Sequence, residues 1–256
     1  MKKILAVVCA VVLVFCLACC GEPIEQTELI VFAAASLQET LTELGQQYMA
    51  EHPDVKILFN FDSSGTLSTQ IKSGAYCDIF ISAGQKQLDE VGVPLQTRID
   101  LLENKVALAV PDGNPADLDS FEALAHALDR GEVLLAMGNA DVPVGQYTQK
   151  ILSYFALSEA ELAAAGCLTY GSNAKEVTTQ VSEGTVDCGT VYATDAFSAG
   201  LTVVDTATAE MCGQVVYPAA VLKIVHNPEA AGAFFTYLCS ETADKVFAGV
   251  GFTPLA

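Results

Sequence analysis

The 256-residue sequence predicts an α/β protein with mostly parallel sheets flanked by helices. Three observations carry that class. Strand-like and helix-like segments alternate along the chain, the pattern of parallel strands joined by crossover helices. Leu29-Ile30-Val31-Phe32 is a continuous apolar run, as expected for a strand covered on both faces. Apolar strands also end repeatedly in small or hydroxyl residues that open a helix: at Ser36, at Ser64, near Val144 and again before Val177.

The N-terminus sets the compartment. Met1-Lys2-Lys3 is basic, and the apolar run from Ile4 to Cys20 has 17 residues, short of the ~20 that span a bilayer. It stops at the acidic, turn-prone Gly21-Glu22-Pro23-Ile24-Glu25, so residues 1–19 read as a secretory signal. Leu17-Ala18-Cys19-Cys20-Gly21 resembles a bacterial lipobox, which implies lipidation of Cys20, with Cys19 as the alternative. Residues 20–27 are then a short tether to the fold.

The elements follow in order. Ser36-Leu37-Gln38-Glu39 has capping-box spacing and opens a helix to about Ala50, with Leu37, Leu41, Leu44 and Tyr48 on one face. Val55, Ile57, Phe59 and Phe61 alternate as a strand, which runs into the turn Asp62–Thr66 and a helix through Ile71. Asp78–Ser82 is a strand and Gln85–Val91 a short helix. Val106–Val110 is a strand closed by the turn cluster Pro111–Pro115. A helix over Phe121–Leu128 and a strand over Val133–Met137 come next, then Asp141-Val142-Pro143-Val144-Gly145 leading into a helix that reaches Phe155. Leu168–Tyr170 is a short strand, and Asn173-Ala174-Lys175-Glu176 has cap spacing before a helix to Ser182. Cys188–Ala193 and Val215–Val221 are strands. Asn227-Pro228 starts a closing helix, with proline where its missing N–H costs nothing, and residues 242–249 add a last helical segment.

Charge and cysteines narrow the function. Twelve basic against 31 acidic residues give a net charge of −19. Loss of residues 1–19 removes Lys2 and Lys3, leaving 10 basic residues and a net −21. Such a field disfavours nucleic acid and anionic membrane surfaces. Cys77, Cys167, Cys188, Cys212 and Cys239 remain beyond the anchor with no Cys-x-x-Cys spacing, which argues against a zinc site. Cys167 and Cys188 start two strands that, as neighbours, would allow a disulfide.

An acidic protein can still hold an anion. A helix N-terminus offers unpaired N–H groups and about half a positive charge, and a hydroxyl there adds a donor. Several such termini converging on one point make an anion site that needs no lysine or arginine. A fully deprotonated tetrahedral dianion offers only acceptors, so its best cavity offers only donors. Taken singly, Ser36 and Ser64 also read as ordinary caps and Tyr192 as a core tyrosine. The alternative of a secreted serine hydrolase needs a base near its nucleophile. Only His52, His126 and His226 exist, none in a strand-end motif, and there is no Gly-x-Ser-x-Gly elbow. A purely structural lipoprotein would leave the repeated donor-rich helix starts unexplained.

Ordered blocks then point to a family. Phe32-Ala33-Ala34-Ala35-Ser36-Leu37, Ser63-Ser64-Gly65-Thr66-Leu67 and Asp78-Ile79-Phe80-Ile81-Ser82-Ala83 resemble the molybdate-binding proteins of ABC importers. So do Val142-Pro143-Val144-Gly145-Gln146-Tyr147, Gly189-Thr190-Val191-Tyr192-Ala193-Thr194-Asp195-Ala196, Tyr217-Pro218-Ala219-Ala220-Val221 and Gly251-Phe252, so that the likeness spans residues 29–252. The resemblance implies a two-lobed periplasmic binding protein fold, type II-like, with ligand in the interlobe cleft. Lobe 1 would be residues 28–106 plus 219–256, and lobe 2 residues 107–218. It implies molybdate or tungstate as ligand, held by the hydroxyls of Ser36, Ser64 and Tyr192 and the backbone N–H groups of Val144 and Val177. No side chain would touch the metal itself, and no cofactor or catalysis is implied. The partners would be an importer's permease and ATPase subunits, with the protein a monomer outside the cytoplasmic membrane and attached to it by its lipid alone. Sulfate or phosphate is the competing ligand reading. Val144 is larger than the residue common in its place, and Asp62 stands where a small neutral residue is commoner; it is expected to face solvent or cap its turn.

Overall fold

The computed structural model describes residues 26–256; the expected signal segment 1–19, the expected anchor Cys20 with its alternative Cys19, and the expected tether up to residue 25 lie outside them. The first strand, β1 (Thr27–Ala34), starts earlier than its apolar run because Thr27 already pairs with Val55. Its buried core Val31–Ala34 carries the chain into a 3-10 turn, Ala35–Leu37, and then α1 (Gln38–Glu51). The turn moves the helix start past Ser36, whose side chain caps nothing. The capping-box reading of Ser36 and Glu39 is therefore corrected. The apolar face is as expected, with Leu41 and Leu44 fully buried, each contributing about 1.5–3 kcal/mol.

The strand β2 (Val55–Asp62) leads to α2 (Ser64–Lys72), β3 (Ile79–Ile81) and α3 (Gln85–Glu90). The cap of α2 is Ser63, whose Oγ accepts the Thr66 N–H at 3.0 Å, not Ser64. Then come β4 (Ile99–Asn104), β5 (Val106–Val110), α4 (Phe121–Asp129), β6 (Leu135–Gly138), α5 (Pro143–Tyr154) and α6 (Glu159–Ala164). The chain continues through β7 (Leu168–Gly171), α7 (Ala174–Ser182), β8 (Cys188–Tyr192), α8 (Ala193–Ala199), β9 (Thr202–Thr206) and α9 (Ala209–Cys212). It closes with β10 (Val215–Val221), α10 (Pro228–Leu238), α11 (Glu241–Gly249) and β11 (Thr253–Pro254).

Two sheets result, one per lobe, with strand orders β11-β4-β10-β3-β1-β2 and β7-β6-β8-β5-β9. Pairing is parallel where strand–helix units repeat, at β1–β2, β1–β3, β6–β7 and β6–β8. It is antiparallel at β10–β3, β10–β4, β11–β4, β5–β8 and β5–β9. The sheets are thus mixed: strands that enter or leave a lobe have no crossover helix to turn them parallel.

The chain changes sheet at Lys105, between β4 and β5, and returns between β9 and β10. Val106 pairs with Tyr192 in the second sheet, and Val215 with Asn104 in the first. Strand pairing therefore places Val106 with the second lobe and Val215–Pro218 with the first. The Cys167–Cys188 disulfide is also corrected. Leu135 of β6 pairs with Leu168 on one side and Cys188 on the other. Two strand spacings of ~4.8 Å hold the sulfurs' backbones ~10 Å apart, beyond the ~7 Å a disulfide spans. Both thiols are free, as are Cys77, Cys212 and Cys239.

Candidate functional site

The helix starts that the sequence repeats converge where the lobes meet. There a small cavity is bordered by Ser36, Ser64, Pro143, Ala174 and Tyr192. Ser36 lies in the 3-10 turn; Ser64, Pro143 and Ala174 are the first residues of α2, α5 and α7; Tyr192 is the residue that starts α8. Ser36 and Ser64 come from the first lobe, and the other three from the second.

Each hydroxyl has a defined role in hydrogen bonding. Ser64 Oγ accepts the Ala83 N–H at 3.0 Å, which leaves its own proton for the cavity. Ser36 Oγ lies 2.9 Å from the Tyr217 hydroxyl. Tyr192 is 1% exposed, and its hydroxyl has no hydrogen-bond partner. Burial above all, with Tyr217 next, holds its pKa well above the ordinary tyrosine value, so it stays a neutral donor. The two rings meet edge to face at 5.5 Å, and the Tyr217 hydroxyl is engaged by Ser36 and Asn104.

Backbone donors add to these. In α5 the first helical bond runs from Gln146 N–H to the Val142 carbonyl, so the N–H groups of Val144 and Gly145 have no helical partner. In α7, Asn173 Oδ1 takes the Glu176 N–H at 3.0 Å, and the Val177 N–H reaches the Asn173 carbonyl only at 3.4 Å, a long helical bond. Ser36, Ser64 and Tyr192 thus border the cavity directly, while Val144 and Val177 sit just inside the helices whose first residues border it. No lysine, arginine or histidine lines it. Asp62 does, but its Oδ1 accepts the Ser63 N–H at 2.7 Å, so it caps its turn as expected.

Two features of the site went unread in the sequence. Asn104 donates to Thr194 Oγ1 at 2.9 Å and to the Tyr217 oxygen at 3.3 Å, tying the lobe junction to Ser36. Beside the cavity, Lys175 Nζ crosses from the second lobe to Glu39 of the first, 2.7 and 2.8 Å from its two oxygens, and stands 3.1 Å from Asp195 Oδ1. Burial raises the Asp195 pKa to about 6 against the downward pull of Lys175. Burial opposes the Lys175 charge, but Asp195 and Glu39 outweigh it and hold its pKa above the ordinary lysine value. The sign of these charges was readable; their meeting across 136 residues was not.

Gly65 brings the lobes close. A Cβ at that position would stand 2.1 Å from the Asp141 carbonyl oxygen of the other lobe. The three histidines are elsewhere: none borders the cavity, and His52 and His226 stack on Tyr48 and Tyr76. Ser36 and Ser64 therefore have no general base.

Two lobes meeting at a small pocket of hydroxyl and N–H donors have the form of a solute-binding protein. The chain belongs to the bacterial extracellular solute-binding protein family, whose model matches residues 29–253. It is 33% identical over 235 residues to the "Putative ABC transporter substrate-binding lipoprotein YvgL" of Bacillus subtilis, covering 90% of this chain and 87% of that one. It is 32% identical over 242 residues to the molybdate-binding protein ModA of Escherichia coli, covering 90% of each. The solved periplasmic molybdate-binding protein of Azotobacter vinelandii shares the fold with a TM-score of 0.76 at 19% identity, over 89% of this chain and 100% of that one.

Proposed function

We propose that this protein captures molybdate or tungstate outside the cytoplasmic membrane and delivers it to the permease and ATPase subunits of an ABC importer. The observation that carries the reading is the buried, unpartnered Tyr192 hydroxyl beside a cavity that also holds serine hydroxyls and helix-start N–H donors, its one carboxylate, Asp62, turned to the Ser63 N–H. A buried hydroxyl without a partner costs about 1–3 kcal/mol, and an oxyanion removes that cost. Ser36, Ser64 and Tyr192 would donate through their hydroxyls, Val144 and Val177 through their N–H groups; the long Val177 bond gives up little in turning to the anion. The names of the Escherichia coli and Azotobacter vinelandii relatives support molybdate as the ligand.

In this reading the lobes, divided at Lys105 and between β9 and β10, close on the anion, and the closed monomer is the form the importer takes up. Signal removal after residue 19 and lipidation of Cys20, or of Cys19, would hold it at the membrane, in keeping with the lipoprotein name of YvgL. Among the described residues no helix is long and apolar enough to cross a membrane.

Thermal melting of the protein freed of its signal, against molybdate, tungstate, sulfate, phosphate and chloride, tests the reading. A ligand at ~1,000 times its Kd adds about 4 kcal/mol, a shift on the order of 10 °C for a chain of this size. A large shift with molybdate or tungstate and none with sulfate is expected. A shift with sulfate or phosphate alone would change the ligand and keep the fold; no shift with any of them would end the oxyanion reading.

A further inference from the structure

We propose that Tyr217 and Asn104 are positioning residues that fix Ser36 as a hydrogen-bond donor and so set the preference for fully deprotonated oxyanions. The inference rests on the oxyanion reading above. The order of protons along the chain follows from the chemistry of each group. Asn104 Oδ1 accepts the Lys105 N–H at 2.8 Å, which fixes which end of the amide faces the junction. Its Nδ2 can only donate, so at 3.3 Å the Tyr217 oxygen is the acceptor. Tyr217 has one proton, and its other partner is Ser36 Oγ at 2.9 Å. Donation to Ser36 is the order that gives the Tyr217 proton an acceptor, and it leaves the serine's own proton for the cavity.

The environment holds this order. Tyr217 is fully buried, and burial foremost, then the Asp195 charge, keep its pKa well above the ordinary value, so it does not lose the proton it lends. Ser64 is fixed the same way by the Ala83 N–H. With each serine oxygen already accepting one hydrogen bond and Asp62 Oδ1 holding the Ser63 N–H, the P–O–H of hydrogen phosphate finds fewer acceptors, whereas molybdate and sulfate need none.

The test is Tyr217→Phe, which keeps the ring against Tyr192 and Phe252 and removes only the hydroxyl. Titrations with molybdate, sulfate and inorganic phosphate at mildly alkaline pH read the Kd of each. Freed of Tyr217, the Ser36 oxygen can accept as well as donate. Molybdate and sulfate should weaken together by about tenfold, the worth of one well-placed hydrogen bond in a buried network, while phosphate weakens less or gains. Asn104→Ala, which frees the Tyr217 oxygen, should shift the molybdate-to-phosphate ratio the same way and by less, and stands in if Tyr217→Phe does not fold. Equal losses for all three anions, or no change, would overturn the relay while leaving oxyanion binding intact. A wild-type protein that binds none of the three would remove the functional reading and the relay together.

Discussion

Replacing Gly65 with alanine should separate folding from ligand capture. The new Cβ would stand 2.1 Å from the Asp141 carbonyl oxygen, where ordinary contact begins at 3.4 Å, so the lobes must part by about 1.3 Å at that point. A donor from the second lobe at ~2.9 Å from the anion then stands near 4 Å, outside hydrogen-bond range. Hydrogen bonds to charged groups contribute about 1.5–3 kcal/mol each, so losing one or two costs roughly 3 kcal/mol and raises Kd on the order of a hundredfold. The first lobe itself should not suffer. Gly65 sits in the first turn of α2 with no left-handed φ, and alanine there gains up to ~1 kcal/mol of helix propensity. Titration calorimetry with molybdate reads the affinity, and melting of the ligand-free protein reads the fold. An unchanged Kd would refute the closure argument. So would a ligand-free Tm lower by several degrees, since the contact would then serve the fold.

Three further outcomes follow from the site. Tyr192→Phe removes a buried hydroxyl with no partner, so the ligand-free Tm should hold or rise while molybdate binding weakens roughly 10- to 100-fold; a lower ligand-free Tm would mean the hydroxyl has a structural partner. Glu39→Gln loosens the bridge from Lys175 across the lobes; because Glu39 is half exposed, we expect only a few-fold rise in Kd that shrinks with added salt, and a salt-independent effect would contradict an ionic bridge. Burial raises the Asp195 pKa to about 6, above its ordinary value of 3.8, so the stability it contributes is present below pH ~4 and lost as pH rises through ~6. Asp195→Asn should gain stability over wild type across that window, by up to about 3 kcal/mol; melting curves from acid to neutral pH showing a constant difference would refute this.

Much of the fold is legible because it rests on local pattern. The continuous run at Leu29–Phe32, the 3.6-residue face of Leu41, Leu44 and Tyr48, and the cap signals at Asn173 and Asn227 all appear where expected. The elements missed are those whose pattern is weak. In β4, Asp100 and Glu103 interrupt the apolar residues, and β9 is an edge strand whose Val203 is 41% exposed. The expected cap falls one residue late at α2 because two serines compete there, and at α1 the 3-10 turn moves the helix start past Ser36. At Ser63-Ser64 one serine caps and the other is released toward the cavity. The lobe junction was legible only roughly. The crossing at Lys105 and the Tyr217–Ser36 contact, 181 residues apart in sequence, depend on strand pairing and not on any local signal.

A protein with net charge −19 can hold a dianion because the two effects act at different distances. Surface carboxylates act through water and are largely screened beyond ~8–10 Å at physiological salt, whereas the donors at the lobe junction sit in contact and out of water, where hydrogen bonds are strongest. The acidic groups nearest the cavity each have a local partner. Asp62 is spent on the Ser63 N–H, and Glu39 and Asp195 share Lys175. In the proposed reading this local pairing couples charge to closure, since the Lys175 bridge to Glu39 spans the two lobes. The charge that would repel a bound anion is thus covered in the same movement that encloses it. The unpartnered Tyr192 hydroxyl supplies the complementary bias: in the empty closed protein it is costly, and with an oxyanion present it is satisfied. In the proposed reading the ligand-free molecule therefore has a reason to open and the loaded one a reason to stay shut.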